Sequence, residues 1–209
     1  MIGAFPTNDG LVVTYVAAPA DEFASFRADP EGGLLRSLDL AGDLGDRVRA
    51  GHRAERVYGT RDLDNRFHQP HGPGWALVGD AGLLMDPVTG QGISDAFRDA
   101  ELLTAAVTAG LGADLPLDTA LAGYQRQRDA AAMAMYEMTT ELASFTPLRV
   151  EQELLIRALV SRPAEIERFL GVIGGAEPIP AYFGPRNLLR LLGVRGMLKA
   201  GRARRRTAA

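Results

Sequence analysis

The 209-residue sequence predicts an α+β fold, a few strands followed by a helical C-terminal half. Residues 11–17, LVVTYVA, form a β-branched run entered from the turn signal Thr-Asn-Asp-Gly, which reads as a strand leaving a tight turn or hairpin. From about Thr89 onward, apolar residues instead recur at three- and four-residue spacing, and Pro116, Pro163 and Pro185 fall where helices start. Between these regions, residues 74–101 run from an apolar strand through a glycine-punctuated loop into a helix.

In order along the chain, strand 11–17 is expected to find part of its partner upstream of Met1. Residues 21–26, 31–40 and 43–50 read as short helices, the last ended by Gly51 as C-cap, and 53–58 as a second strand. His52 reads as solvated. His68 and His71 lie three apart, but Pro70 and Pro73 break any helix that would put both on one face, so no metal site is expected. Trp75, the only tryptophan, reads as a packing residue. Residues 75–78 are a short apolar run bounded by glycines, consistent with a buried strand or with part of a helix.

A helix starting near Thr89 places Ile93, Ala96, Phe97, Ala100, Leu103 and Val107 on its inner stripe, with Asp95, Arg98, Asp99 and Glu101 mostly on other faces. The next helix, with Asp114 as cap and Pro116 in its first turn, extends to about Ser144 on a stripe of Leu117, Leu121, Tyr124, Arg128, Ala131 and Met135. Helices follow at 150–161, 163–173 and 185–199. The Pro- and Gly-rich stretch 174–185 reads as an ordered loop, and the end, with Arg202, Arg204, Arg205 and Arg206, as a solvated basic tail.

A net charge of −3 offers no general attraction to nucleic acid. The absence of cysteine excludes disulfides, thiolate metal sites and cysteine nucleophiles. No apolar stretch approaches the roughly 20 residues of a membrane span, and the start lacks a signal-peptide pattern, so a cytoplasmic protein is expected.

The chemistry suited to residues 74–101 is anion or dipole binding. The first turn of a helix has unpaired N–H groups and a partial positive charge, and Gly90 and Gly92 let a ligand approach them closely. Gly79 and Asp80 end the strand, where the carboxylate can accept hydrogen bonds from sugar or polyol hydroxyls. The plainer alternative is that Asp80 caps a turn and the glycines make one.

The segment GDAGLLMDPVTGQGISDAFRDAE, residues 79–101, resembles the second flavin-contacting motif of the FAD-dependent oxidoreductases of the aromatic-hydroxylase, geranylgeranyl-reductase and flavin-halogenase superfamily. The shared features are Gly79, Asp80, Pro87, Gly90, Gly92, Asp99 and Ala100. The resemblance implies that Asp80 holds a ribityl hydroxyl of FAD, that Pro87 lies near the isoalloxazine ring, and that the amides of Gly92, Ile93 and Ser94 face its pyrimidine edge. It extends over about residues 5–183. The chain departs from many aromatic hydroxylases in having Leu83 where they carry a histidine, and its Pro-Val-Thr-Gly-Gln-Gly loop is closer to the reductase branch.

By this resemblance, the chain is the C-terminal part of a FAD/NAD(P)-binding α/β enzyme. Residues 1–73 would be the remnant of a substrate-domain sheet with short helices, 74–145 the flavin-contacting unit and its packing helix, 146–200 the C-terminal helices and 201–209 the basic tail. The family's βαβ unit with G-x-G-x-x-G is not found in the sequence, which implies that another segment, or a separate chain as partner, supplies it. NAD(P)H would reduce the flavin, which then acts on a small organic substrate or on oxygen. No side chain reads as an obvious general acid or base. The alternative function is a non-catalytic partner module that does not bind FAD alone.

Overall fold

A computed structural model describes residues 1–61, 63–112 and 115–207, with the side chains of 204–207 excepted. The expected cap at Asp114 and the side chains of Arg204, Arg205 and Arg206 lie outside the described residues. The fold is α+β, and the chain divides into two compact units, Met1–Asn65 with Ala143–Phe145, and Arg66–Leu142 with Thr146–Ala209.

The first unit opens with an antiparallel hairpin of β1 (Ile2–Pro6) and β2 (Val12–Val16), in the register Ile2↔Val16 to Pro6↔Val12. Within the chain the partner of β2 is therefore β1. Asp9 (φ 57°) and Gly10 (φ 72°) make the turn in left-handed backbone, as the Asn-Asp-Gly signal demands. Helices α1 (Phe23–Ala28), α2 (Pro30–Leu38) and α3 (Leu44–Ala50) follow, close to expectation. Asp29 caps α2 by accepting from the Gly32 N–H, and Pro30 supplies its first turn. Leu38 is fully buried, and Arg49 grips Asp39 through two bonds of 2.6 Å. The strand expected at 53–58 is absent: these residues are irregular and nearly all exposed, because no neighbouring strand offers its backbone groups a ladder.

In the second unit, β3 (Arg66–Phe67) pairs with β6 (Leu83–Leu84), and β4 (His71–Gly72) with β5 (Trp75–Ala76). The expected buried strand at 75–78 is thus a two-residue strand of a tight hairpin. Trp75 is half-exposed, its ring lying over Gly72, where a Cβ would come within 2.7 Å of it. Helix α4 (Gly92–Leu111) begins three residues later than expected, since Pro87–Thr89 form a separate 3₁₀ turn. It packs Leu102, Leu103, Ala106 and Val107 against Ala120, Leu121 and Tyr124 of α5 (Leu117–Ala143).

Further along α5, Tyr136 meets Phe67 of β3 edge-on at 5.1 Å, and Thr139 reaches the loop before α4. On the α5 stripe Ala132, not Ala131, is buried, together with Leu121, Tyr124, Arg128, Met135 and Thr139.

Helices α6 (Val150–Val160) and α7 (Pro163–Ile173) match expectation. The stretch 174–185 is not purely a loop, since it contains the single-turn α8 (Ile179–Tyr182), whose Tyr182 is fully buried. Helix α9 (Pro185–Thr207) bends at Gly193 (φ 65°) and continues through the stretch expected to be a frayed tail. Val172, Tyr182 and Leu191 form this layer's core, beside a fork in which Arg190 holds the Glu165 carboxylate at 2.6 and 2.7 Å. Among the described residues no helix is long and apolar enough to cross a membrane.

Candidate functional site

The site lies where the β5 segment hands over to α4. The Leu77 N–H donates to Pro70 O at 2.7 Å, and the Tyr124 hydroxyl donates to Leu77 O at 2.7 Å, fixing the chain just before its exposed end at Val78. Gly79 then turns in left-handed backbone (φ 58°) against α4, where a Cβ would lie 3.1 Å from that of Ala96. This close approach, together with the positive φ, explains the glycine.

After β6, Asp86 caps the Pro87–Thr89 turn by accepting from the Val88 N–H at 2.9 Å. Thr89 is buried and bonded to Thr139 across 2.7 Å. Gly90 (φ 67°) reverses the chain, and the Gln91 side chain donates to Thr89 O at 3.1 Å and to Ile173 O. The loop is therefore tied at one end to α5 and at the other to the C-terminal end of α7.

Gly92 opens α4. The first backbone bond of this helix start runs from Asp95 N to Gln91 O, and among the described residues the N–H groups of Gly92, Ile93 and Ser94 have no backbone acceptor. Asp80 Oδ1 lies 3.8 Å from the position a Gly92 Cβ would take, so a carboxylate stands beside the helix start. Asp80 is exposed and, among the described residues, makes no side-chain hydrogen bond and caps no turn; Asp86 caps the turn before α4, while Gly79 and Gly90 do make turns in left-handed backbone.

An open hollow of about 500 Å³ is lined by Val78, Gly79, Asp80, Gly92, Ile93, Ala96 and Ala100. It brings together four of the sequence-derived site residues, Gly79, Asp80, Gly92 and Ile93. Pro87, Gly90 and Ser94 stay outside the lining, though all three are exposed on the same loop and helix start. Val78, Ala96 and Ala100 were not assigned to a site; Ala96 and Ala100 share one face of α4 with Gly92, but small apolar residues at that spacing read equally as core.

The faces of α4 also differ from expectation. Ile93 and Phe97, placed on the inner stripe, are 77% and 74% exposed, whereas Asp95 and Asp99 are buried. Arg98 joins them, donating to Asp95 at 2.7 Å and to Asp99 at 3.2 Å. Burial pushes both carboxyls above their ordinary range, opposed by Arg98, and pushes the Tyr124 hydroxyl up to about 12. Among the described residues Asp95 Oδ2, Asp99 Oδ2 and Arg98 Nε have no partner within the protein.

Among the described residues no group of three or more His, Asp or Glu side chains is placed to hold a metal ion; the His68 carbonyl accepts from Arg128, and His71 sits in β4. Chemically, the arrangement offers hydrogen-bond donors with positive dipole, one unpaired carboxylate and an apolar floor. It presents no paired nucleophile and base. No family model, curated protein or solved structure matches the chain.

Proposed function

We propose that residues 78–100 are the flavin-contacting segment of a FAD-dependent oxidoreductase or monooxygenase, in which NAD(P)H reduces the flavin and a small organic molecule is the substrate. The observation that carries this is the juxtaposition of three unbonded amides at Gly92, Ile93 and Ser94 with the unpartnered Asp80 carboxylate over an apolar hollow. A flavin presents matching groups: an acceptor-rich ring edge, a hydroxylated ribityl chain and a flat apolar face. The choice of FAD over other ligands of that kind rests on the resemblance of residues 79–101.

The site residues fit such a group. No atom lies within 4 Å of a Cβ built at Gly90, and at Gly92 only Asp80 Oδ1 does, so a flat ligand can approach the backbone. The start of α4 would favour negative charge on the ring edge by roughly 0.3–2 kcal/mol, and Asp80 would accept from a hydroxyl. FAD, when bound, supplies the redox chemistry between NAD(P)H and substrate or oxygen. Because the sequence has no G-x-G-x-x-G βαβ unit for the ADP half, affinity of these 209 residues alone should be weak.

Titration with riboflavin and with FAD, followed by flavin fluorescence, tests the reading. Saturable quenching is expected, weaker than micromolar, strongly reduced in Gly92→Val and Asp80→Ala, and reduced less in Asp80→Asn. All three variants should melt with the parent protein. Absence of saturable quenching up to the solubility of both flavins would overturn it.

One observation favours a second reading, a partner module without cofactor: Ile93 and Phe97 stand exposed one turn apart on α4. That reading predicts no flavin quenching at all.

A further inference from the structure

The N-terminal hairpin has one edge interrupted by a proline and one edge open. The bonds Ala17 N to Met1 O (2.9 Å) and Thr7 N to Leu11 O (2.8 Å), with the β1↔β2 register, make the odd-numbered residues the hydrogen-bonded pairs. The backbone groups of Ile2, Ala4 and Pro6 on β1, and of Val12, Thr14 and Val16 on β2, therefore point away from the hairpin. On the β1 side the outward row is interrupted by Pro6, which has no N–H to give, a common way of blunting an edge. On the β2 side the row is complete, and among the described residues no hydrogen bond reaches it.

The β2 segment also has a composition that suits one particular occupant. Residues 11–17 carry no charge, and the outward-pairing residues are symmetric about Thr14, with Val12 and Val16 on either side. Laid antiparallel against a second copy about a two-fold axis at Thr14, the strand pairs Thr14 with Thr14, Val12 with Val16 and Val13 with Tyr15. Every pair is then Thr–Thr, β-branched or aromatic, without a charge to desolvate. Val12 and Val13 are 55% and 54% exposed, so both faces of the strand have apolar surface left to cover. A two-stranded hairpin is marginal by itself, whereas four strands form a sheet.

We propose that β2 is a homodimerisation edge, forming a continuous four-stranded sheet β1-β2-β2-β1 with a second copy of this chain through the outward backbone groups of Val12, Thr14 and Val16. The inference is independent of any flavin binding.

Sedimentation equilibrium across a concentration series, with amide hydrogen exchange on the same samples, tests it. The parent chain should pass from monomer to twice its mass, and the amides of Val12, Thr14 and Val16 should become protected in step with the dimer. Thr14→Pro removes only an outward N–H and should weaken association at least tenfold. Thr14→Lys and Thr14→Glu put like charges opposite each other across the axis; each alone should be monomeric, and an equimolar mixture should form the mixed dimer. A parent that stays monomeric at millimolar concentration overturns the proposal. So does a dimer in which those three amides exchange as freely as in the monomer, a reading on the unaltered chain that does not depend on whether any variant folds. A dimer that survives Thr14→Pro does so as well.

Discussion

Thr89 Oγ1 and Thr139 Oγ1 lie 2.7 Å apart, with both side chains buried, so that one hydroxyl pair fastens the loop before α4 to the last turns of α5. Removing one partner leaves the other hydroxyl buried and unsatisfied. Thr139→Val should therefore lower unfolding free energy by about 1–3 kcal/mol, and Thr89→Val likewise. The double variant, which leaves no orphan, should cost less than the sum of the two. Urea denaturation of the four proteins gives the cycle, and simple additivity would show that the bond does not couple loop and helix.

Gly90 and Gly92 stand two residues apart in opposite backbone situations. Gly90 has φ 67° with open space around it, so Gly90→Ala meets no atom but forces an L-residue into left-handed backbone, at about 1–2 kcal/mol. Gly92 has no such φ and opens a helix, so Gly92→Ala should leave stability unchanged or raise it by up to about 1 kcal/mol. Thermal melts of both variants check this; equal losses at the two positions would contradict it.

The helical half was legible because its boundaries are chemical. Pro163 and Gly174 bracket α7 at the residues where the structure starts and ends it. The orientation of α4 was not legible. A 3.6-residue period tells which side chains share a face, but not which face turns inward. Here Arg98 partly neutralises Asp95 and Asp99, letting them go in while Ile93 and Phe97 stay out.

Residues 53–58 failed as a strand because a strand needs a neighbour to pair with, and among the described residues none pairs with them. At the site, Gly79, Asp80, Gly92 and Ile93 could be found as a strand end and a helix start. Ala96 and Ala100 could not, since a small apolar residue looks the same whether it fills a core or lines a hollow.

Stability should depend on pH in two opposed ways. Burial raises Asp95 and Asp99 above the ordinary 3.8, so the folded state keeps protons the unfolded chain has already lost. Their contribution is most favourable at or below about that pH and declines as pH rises through the raised values. Glu165 runs the other way: its hydrogen bonds from Arg190 hold it below the ordinary 4.5, so its contribution is present above that value and lost as pH falls through the lowered one. Asp99→Asn should flatten the decline on the alkaline side of 3.8, and Glu165→Gln the loss on the acid side of 4.5. Urea midpoints at a series of pH values read both; variants that merely shift the parent curve in parallel would refute the assignment.

The fully buried Arg128 is the residue whose replacement should cost most. Its guanidinium donates to His68 O at 2.7 Å, to Gly82 O at 3.4 Å and to Asp129 at 2.9 Å, and lies 4.8 Å from the centre of the Phe67 ring. One planar group thus joins the carbonyls beside β3 and β6 to α5. Arg128→Met fills most of the volume but strands the His68 carbonyl and a partly buried carboxylate, while Gly82 O keeps its bond from the His68 N–H, so a loss of about 3–5 kcal/mol is expected. Arg128→Lys keeps the charge without the fork. A single ammonium cannot reach the two carbonyls and Asp129 together or lie flat on Phe67, and the loss should be at least half that of Arg128→Met. Denaturant midpoints with unchanged slopes would measure both. A lysine variant as stable as the parent would show that charge alone, and not the geometry of the guanidinium, holds the strands to the helix.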